Sequence, residues 1–512
     1  MIQSESMYGT AFRRPLLKAL LPVAGLAVFV ALVLGLGPGW LVSEAALKTM
    51  TAVAMLLIPL CVILAAAKAR GVDPQRTTFA LTLLIWWFLL IGDGFFDRIS
   101  DVQNTYEGQF SVDAYAEVFT WLIAFLILVF ISFTKPGYLG KLFSGSYKWL
   151  SLFMLSCLAA AAYSPSPSYA LGWWFKLFLV TLVLGLCTSC IEKLSDVRAL
   201  LWSNLWGLLF VCVLSLADAL ADPTTLFQGI GGRLNADPVV LSGTAGFLLI
   251  VTLILNSIRG RLWLKLVGLL SVVIMIFAFG KTGLIAGAVS ATAFFVLRKK
   301  IASGLGLLLG VGLLAAILVA TVTPLGNYLS TYRGGSTLTG RTEIWQEALT
   351  AIKQQPVFGH GYLASKFMWT TRRGDLEEVA PHMHNGFLET LYNNGLIGLV
   401  FLLGMHGAIL TNLFHAKKAL SVPNGKETGD LEQTNILIVG CFALYLDLLI
   451  YGLFTPAFGG RATTHFMVFL SILGLSMGLR KLTQQPEGKQ LVTAPATIGW
   501  RKRFSEPSPS ST

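Results

Sequence analysis

The chain has 512 residues, of which 55% are hydrophobic and only 12% are charged. An ordinary soluble domain carries roughly 25% charged residues, so this composition excludes an assembly of soluble domains and indicates a protein whose solvent is the lipid bilayer. The net charge of +12 does not indicate nucleic-acid binding, because the basic residues stand in twos and threes between apolar runs, as they do in the cytoplasmic loops of membrane proteins.

Apolar runs long enough to span a bilayer recur from Leu16 to Leu479. They predict an all-α, polytopic inner-membrane protein with about 12 to 14 transmembrane helices. The first span follows Arg13, Arg14 and Lys18 without an obvious cleavage site, so we expect an uncleaved helix. The predicted spans begin near residues 17, 48, 78, 118, 149, 169, 199, 238, 263, 282, 303, 386, 434 and 464.

The distribution of charge predicts how the chain is oriented in the membrane and how it divides into four regions. Alternate loops are basic, which predicts that these loops and both termini face the cytoplasm. The chain then divides into residues 1–324 with the first eleven helices, one large periplasmic loop at 325–385, the last three helices at 386–482, and a disordered cytoplasmic tail at 483–512 that is rich in Pro and Ser.

The large loop carries a cluster of basic residues and one amphipathic segment. From Arg341 to Gln355 the apolar residues follow helical spacing, and Pro356 ends the pattern, which predicts a helix lying on the membrane surface. The predicted apolar face consists of Ile344, Trp345, Ala348, Leu349 and Ile352. The basic residues of the loop are Arg333, Arg341, Lys353, Lys366, Arg372 and Arg373.

Two segments of this loop contain residues suited to catalysis. His384 stands where the chain enters a span, and a histidine there can act as a general base near neutral pH. A solvated loop residue is the alternative, and a metal-binding pair with His382 is disfavoured because acidic or cysteine partners are few. Arg341 begins the amphipathic helix, where a guanidinium beside free backbone amides suits a diphosphate. An arginine that reaches to lipid headgroups is the alternative.

Two further cations lie on the predicted external side. Arg233 follows Gly231 and Gly232, and the glycines would allow a ligand to approach closely, although a simple turn explains the pattern equally well. Lys281 joins two apolar runs with almost no loop between them, so it must lie close to the edge of the hydrocarbon. A cation there is costly unless it has a partner or extends to the interface.

Taken together, these segments resemble the O-antigen ligase and polymerase superfamily, which includes exopolysaccharide polymerases. The resemblance is carried by His384 and Asn385, followed after nine residues by Gly395 and after two more by Gly398, and by the runs 338–345 and 356–362. It extends over roughly residues 149–480. One difference is that Lys281 stands where family members commonly have an arginine.

The resemblance implies a membrane-embedded, GT-C-like glycosyltransferase that is metal-independent and inverting, needs no cofactor, and acts at the periplasmic face. Arg233 and Arg341, assisted by Lys281, would bind the diphosphate of an undecaprenyl-diphosphate-linked oligosaccharide, and His384 would be the catalytic base. Further candidate substrate contacts are Asn385, Glu389, Tyr362, Arg372 and Arg373. Implied partners are membrane lipids, a glycan or lipid A core acceptor, and a chain-length regulator.

Three alternatives to an exopolysaccharide polymerase are an O-antigen ligase, a transporter, and a structural or signalling membrane protein. The runs 339–345 and 356–362 favour an exopolysaccharide polymerase over an O-antigen ligase, which would use lipid A core as its acceptor. A transporter of lipid-linked oligosaccharide would show repeated halves and charges near the bilayer midplane, and neither is evident. A purely structural or signalling membrane protein would not need basic residues and a histidine on one face.

Overall fold

The computed structural model describes residues 44–96, 112–132, 138–221, 238–278, 280–321, 341–368, 383–420, 429–459 and 461–484. All regular elements within these ranges are helical. The helices are α1 Glu44–Arg70, α2 Pro74–Phe96, α3 Val112–Ser132, α4 Tyr138–Lys141, α5 Tyr147–Ala161, α6 Pro167–Ser189, α7 Leu194–Ala221, α8 Pro238–Arg259, α9 Leu262–Phe277, α10 Lys281–Leu297, α11 Ile301–Thr321, α12 Arg341–Ile352, α13 Gly386–Leu420, α14 Gly429–Gly452 and α15 Thr464–Gln484, with a 3₁₀ turn at Ala364–Phe367.

Seven of the described helices are long and apolar enough to cross a membrane. These are α2, α6, α7, α8, α13, α14 and α15, and shorter apolar stretches occupy α3, α5, α9, α10 and α11. Every predicted span from residue 48 onward coincides with a helix, while the span near residue 17 lies outside the described residues. Over the described part of the chain, the prediction of a helical protein with membrane-spanning segments is therefore confirmed, and the predicted total of spans stays a prediction.

The helices pack around one continuous apolar core. Helix α8 lies against α7, α9, α10 and α14, and α13 lies against α5 and α15. Glycines permit close contacts in this core, since a Cβ added at Gly243 would lie 2.3 Å from the Tyr451 ring and one at Gly283 would lie 2.4 Å from the Ser242 backbone.

The two ends of the bundle carry different kinds of connection. At one end, basic side chains join helix termini: Arg76 pairs with Asp196, and Lys481 donates to the carbonyl oxygen of Ile191 at 2.6 Å. At the other end, longer connections meet, and we call this the loop end. It comprises residues 162–166, 356–368, 383–395, 453–459 and 461–463.

Candidate active site

Helix α12 fixes Arg341 at the loop end. Its buried residues, Ala348, Ala351 and Ile352, pack in a small cluster with Met383 and Tyr392. The helix lies within the segment predicted to be amphipathic, with two differences from the expected pattern. It ends at Ile352 because residues 353–355 turn back on the last turn of the helix, and its buried face includes Ala351 in place of the exposed Leu349.

The first turn of α12 is tied to the segment that carries His384. The Trp345 indole Nε1 donates a hydrogen bond to the carbonyl oxygen of Met383 at 2.8 Å. The half-buried Arg341 guanidinium lies 5.9 Å from the centroid of the Phe454 ring, within the range of a cation–π contact. The structure therefore brings the predicted cation and the predicted base to the same end of the bundle.

The backbone of His384 is held from both sides while its side chain remains half-buried. His384 has a φ of +50°, in the left-handed region that few residues other than glycine adopt. Before it, the Met383 amide donates to Glu389 Oε2 at 3.0 Å. After it, Asn385 Oδ1 accepts hydrogen bonds from the amides of Phe387 at 3.0 Å and Leu388 at 2.9 Å, which caps α13.

Asn385 also links this segment to the connection after α14. Its side-chain amide donates to the carbonyl oxygen of Leu453 at 3.1 Å. Both polar atoms of the Asn385 side chain are thus engaged inside the protein. In this structure Asn385 positions its neighbour His384, and its predicted role in contacting substrate stays a prediction.

Glu389 is a buried carboxylate one turn into α13. Besides the Met383 amide, it accepts a hydrogen bond from Ser365 Oγ at 3.0 Å. Lys366 and Arg461 lie near enough to interact with it electrostatically. The structure therefore places Glu389 beneath the surface of the loop end, where it joins the 3₁₀ turn to the His384 segment.

The turn that contains Tyr362 joins two helices, α13 and α5. The amides of His360 and Gly361 donate to the carbonyl oxygens of Tyr392 and Asn393 at 2.8 and 3.0 Å, and the Tyr362 amide donates to Ala160 at 3.1 Å. Tyr362 itself is fully buried, and burial raises the pKa of its phenol well above the usual value. Its hydroxyl therefore stays protonated, and its side chain lies in the core of the protein.

A kink at Gly395 separates two parts of α13. Gly395 has φ +64° and ψ −165°, which no helix contains, so residues 386–394 form a separate short helix before the long one. The turn at 356–359 packs against this kink and supplies an acceptor for an amide just after it, because Leu396 N donates to the Pro356 carbonyl oxygen at 2.9 Å. The kink separates the short helix that follows His384 and contains Glu389 from the long helix that spans the bundle.

Two cations at the loop end were not assigned a role from the sequence. Lys366 donates to the Tyr169 hydroxyl at 2.7 Å, and the Arg461 guanidinium lies 3.9 Å from the centroid of the Trp173 ring. A signal for Arg461 was present, because it follows two glycines just before a span, as Arg233 does.

Lys281 is the one remaining predicted site residue that the structure describes. Lys281 is exposed at the start of α10, and the described contacts do not join it to Arg341 or His384. Arg233, Arg372 and Arg373 lie outside the described residues, as does His382. Within the described ranges, no group of three His, Cys, Asp or Glu side chains is arranged to hold a metal ion.

Fold and site together define a helical membrane protein with a histidine and several cations at one end of its bundle. Residues 266–403 match the profile of the O-antigen ligase family, a segment that includes Lys281, Arg341 and His384. The family resemblance expected from the sequence motifs is therefore confirmed.

Two relatives share short segments with this chain. The exopolysaccharide production protein ExoQ of Rhizobium meliloti is 36% identical over 84 residues, which cover 14% of this chain and 19% of that protein. An uncharacterized protein of Haemophilus influenzae is 30% identical over 119 residues, or 22% of this chain and 28% of that protein. The chain thus matches well under half the length of either relative.

Proposed function

We propose that this protein is a glycosyltransferase that polymerises glycan repeat units carried on undecaprenyl diphosphate, at the periplasmic face of the bacterial inner membrane. The observation that carries the proposal is the hydrogen bond from Trp345 to the carbonyl oxygen of Met383, because it joins the helix turn that begins with Arg341 to the segment that holds His384. In this proposal the group that binds the anionic leaving group and the base for the acceptor belong to two segments that this hydrogen bond joins.

The chemistry follows from those two groups. An acceptor hydroxyl attacks the anomeric carbon of the donor, and the bond from that carbon to the phosphate oxygen breaks with inversion. Negative charge grows on the departing diphosphate, and the Arg341 guanidinium, at the positive end of the α12 helix dipole, stabilises it. The hydroxyl proton passes to the His384 imidazole. No step requires a metal ion.

Other residues of the loop end hold the backbone around His384 or add positive charge near it. Asn385 and Glu389 fix the backbone on either side of His384. Lys366 and Arg461 add positive charge near the same segment. Such a basic surface attracts an anionic donor, and the field is strongest in the low-dielectric surroundings of a membrane protein. In this proposal Arg233, Arg372 and Arg373 add further cations, and Lys281 assists from the start of α10.

Charge at the opposite end of the bundle supports the orientation. Basic residues such as Arg76, Arg298 and Lys481 stand at the helix termini there. The positive-inside rule assigns that end to the cytoplasm, which leaves the loop end outside, where a lipid-linked glycan would be delivered. Both termini of the chain are then cytoplasmic.

The comparisons favour two acceptors. Similarity to a protein named for exopolysaccharide production supports polymerisation, in which the acceptor is another lipid-linked repeat unit and a chain-length regulator acts as partner. The family description supports the second candidate, an O-antigen ligase that transfers the glycan to lipid A core. We place polymerisation first because the runs 339–345 and 356–362 also favour it.

Purified protein mixed with undecaprenyl-diphosphate repeat units tests the proposal. A polymerase gives a ladder of products without any other acceptor, whereas a ligase forms product only when lipid A core is added. If neither mixture gives product while the lipid-linked glycan crosses vesicle membranes, the protein is a transporter and the proposal is wrong.

Substitutions at the two central residues sharpen this test. Asparagine tolerates left-handed backbone, so His384→Asn keeps the local fold while removing the base, and we expect transfer to fall by about 10²- to 10⁴-fold. Arg341→Lys replaces a bidentate fork by a point charge and should lose most activity. His415→Ala and Lys353→Ala, both at exposed positions, are controls that should retain it. Activity of His384→Asn near that of the controls would exclude the base role.

A further inference from the structure

An apolar groove of about 620 Å³ lies between α1, α2 and α7. Its walls include Ile63, Leu84, Trp87, Trp206 and Phe210. One polar residue, Ser203, lies among the lining residues, and its hydroxyl donates to the carbonyl oxygen of Leu83 at 3.3 Å, so the surface of the groove is almost wholly hydrocarbon. Trp206 is half exposed, which leaves the groove open toward the surrounding lipid.

The walls of the groove are held in place without a ligand. Trp87 and Phe210 form an edge-to-face pair with ring centroids 5.8 Å apart. Behind them, Trp86 Nε1 donates to Asn204 Oδ1 at 3.0 Å, and the Asn204 side-chain amide donates to Ser471 Oγ on α15. These hydrogen bonds lock α2, α7 and α15 together. The groove is therefore a preformed site of the kind that binds an apolar ligand.

The groove lies directly below the loop end. Leu90, one turn beyond Trp87, packs so closely on Gly207 that a Cβ at that glycine would lie 2.4 Å from a leucine methyl group. The carbonyl oxygen of Leu90 accepts a hydrogen bond from Thr464 Oγ1 at 3.2 Å, three residues after Arg461. At about 1.5 Å per helical residue, the stretch from Leu90 to Leu84 descends roughly 9 Å, so the groove runs from below Arg461 toward the middle of the bundle.

We propose that this groove binds the polyprenyl tail of the lipid-linked donor. The proposal rests on the proposed function, which places the donor's diphosphate at the loop end. A tail attached to that diphosphate must begin at the same level and continue into hydrocarbon, and the groove offers an aromatic-walled path in that direction. The competing outcome is a groove filled by an ordinary phospholipid. Such a lipid has no diphosphate at the loop end to hold its acyl chain in the groove.

Filling the groove should discriminate between donors by tail length. Ala80 lines the groove, and Ala80→Trp would occupy the space of one isoprene unit. Burial contributes about 0.8 kcal/mol per methylene, so we expect the KM for a full-length undecaprenyl donor to rise at least about tenfold with little change in kcat. A donor with a two-isoprene tail should be used equally by both proteins. Leu126→Trp, at an exposed position on α3, is the matched control.

If Ala80→Trp uses both donors as the wild type does, or loses both equally, the groove does not bind the tail. A second measurement stands apart from activity. Undecaprenyl diphosphate with a photoreactive group in its tail should label peptides from residues 80–87 and 203–213 of the purified wild type and the Leu126→Trp control, but not of Ala80→Trp. Undecaprenyl phosphate should compete and phosphatidylglycerol should not. Equal competition by phosphatidylglycerol would show that the groove does not select the donor tail, even if the protein transfers glycan. Specific labelling of a protein that transfers no glycan would contradict the proposed function and leave the tail-binding groove standing.

Discussion

Replacing Gly395 by alanine tests how the segment that carries His384 is held against the rest of α13. A Cβ at this position would lie 2.1 Å from the carbonyl oxygen of Val357 and 2.6 Å from the amide nitrogen of Gly359. Both atoms belong to a backbone turn that cannot shift without disturbing its neighbours. The combination of φ +64° and ψ −165° is in addition one that alanine rarely adopts.

The magnitude can be built from these contacts. Holding a residue other than glycine in this backbone region costs about 1–3 kcal/mol. Moving the turn at 356–359 away would break the hydrogen bonds from Leu396 N to Pro356 at 2.9 Å and from Gly361 N to Asn393 at 3.0 Å, each contributing about 1 kcal/mol. We therefore expect Gly395→Ala to lower the free energy of unfolding by about 3–5 kcal/mol, a large part of the roughly 5–15 kcal/mol typical of folded proteins.

Thermal unfolding in detergent, followed by tryptophan fluorescence, measures this effect. Gly407→Ala is the matched control, because Gly407 lies on the same helix with open space around the added Cβ. Alanine is favoured over glycine in a helix interior by about 1 kcal/mol, so the control should melt at or slightly above the wild-type temperature. Equal melting temperatures for the two variants would refute the reasoning about the kink.

Three further predictions concern side chains at the loop end. Trp345→Phe keeps an aromatic ring but removes the hydrogen bond to Met383, so we expect a loss of about 0.5–1.5 kcal/mol and faster proteolysis near His384; an unchanged cleavage rate would contradict the role of this bond. Ser365→Ala removes one donor from the Glu389 carboxylate and should lower the melting temperature, whereas Ser365→Thr, which keeps the hydroxyl, should not. Arg461→Ala should reduce glycan transfer more than Lys281→Ala, because Arg461 lies near Glu389 and the described contacts do not join Lys281 to that segment. Equal effects would show that this distinction is wrong.

The positions of the helices could be predicted from the sequence because the bilayer leaves few other solutions. In hydrocarbon every backbone amide must be paired within the segment, so a long apolar run implies a helix. Several helices begin up to six residues before the predicted spans, as α3 does at Val112 for the span expected near residue 118, because the helical hydrogen bonds continue into the polar flanking residues. Hydropathy identifies the apolar run, but it does not identify the residues at which the helix begins and ends.

The contacts that shape the site could not be predicted in the same way. Gly395 stands within an apolar helical pattern, and its break depends on a turn some 36 residues earlier in the chain, at Gly359. The contacts of Arg461 with Trp173 and of Ser365 with Glu389 also join distant parts of the sequence. The periodicity of apolar residues shows which face of a single helix is apolar. It does not show which distant residues hold the two candidates, His384 and Arg341, in place.

Backbone strain at the loop end bears on how the site works. Of the three described residues other than glycine with positive φ, His384 and Leu363 are at the loop end. A left-handed conformation costs such a residue roughly 1–2 kcal/mol, so it persists only where surrounding contacts enforce it. At His384 those contacts are the Met383 amide on Glu389 and the Asn385 cap of α13. These contacts fix the backbone position of His384 before substrate arrives, so in the proposed reaction the acceptor hydroxyl must come to this residue.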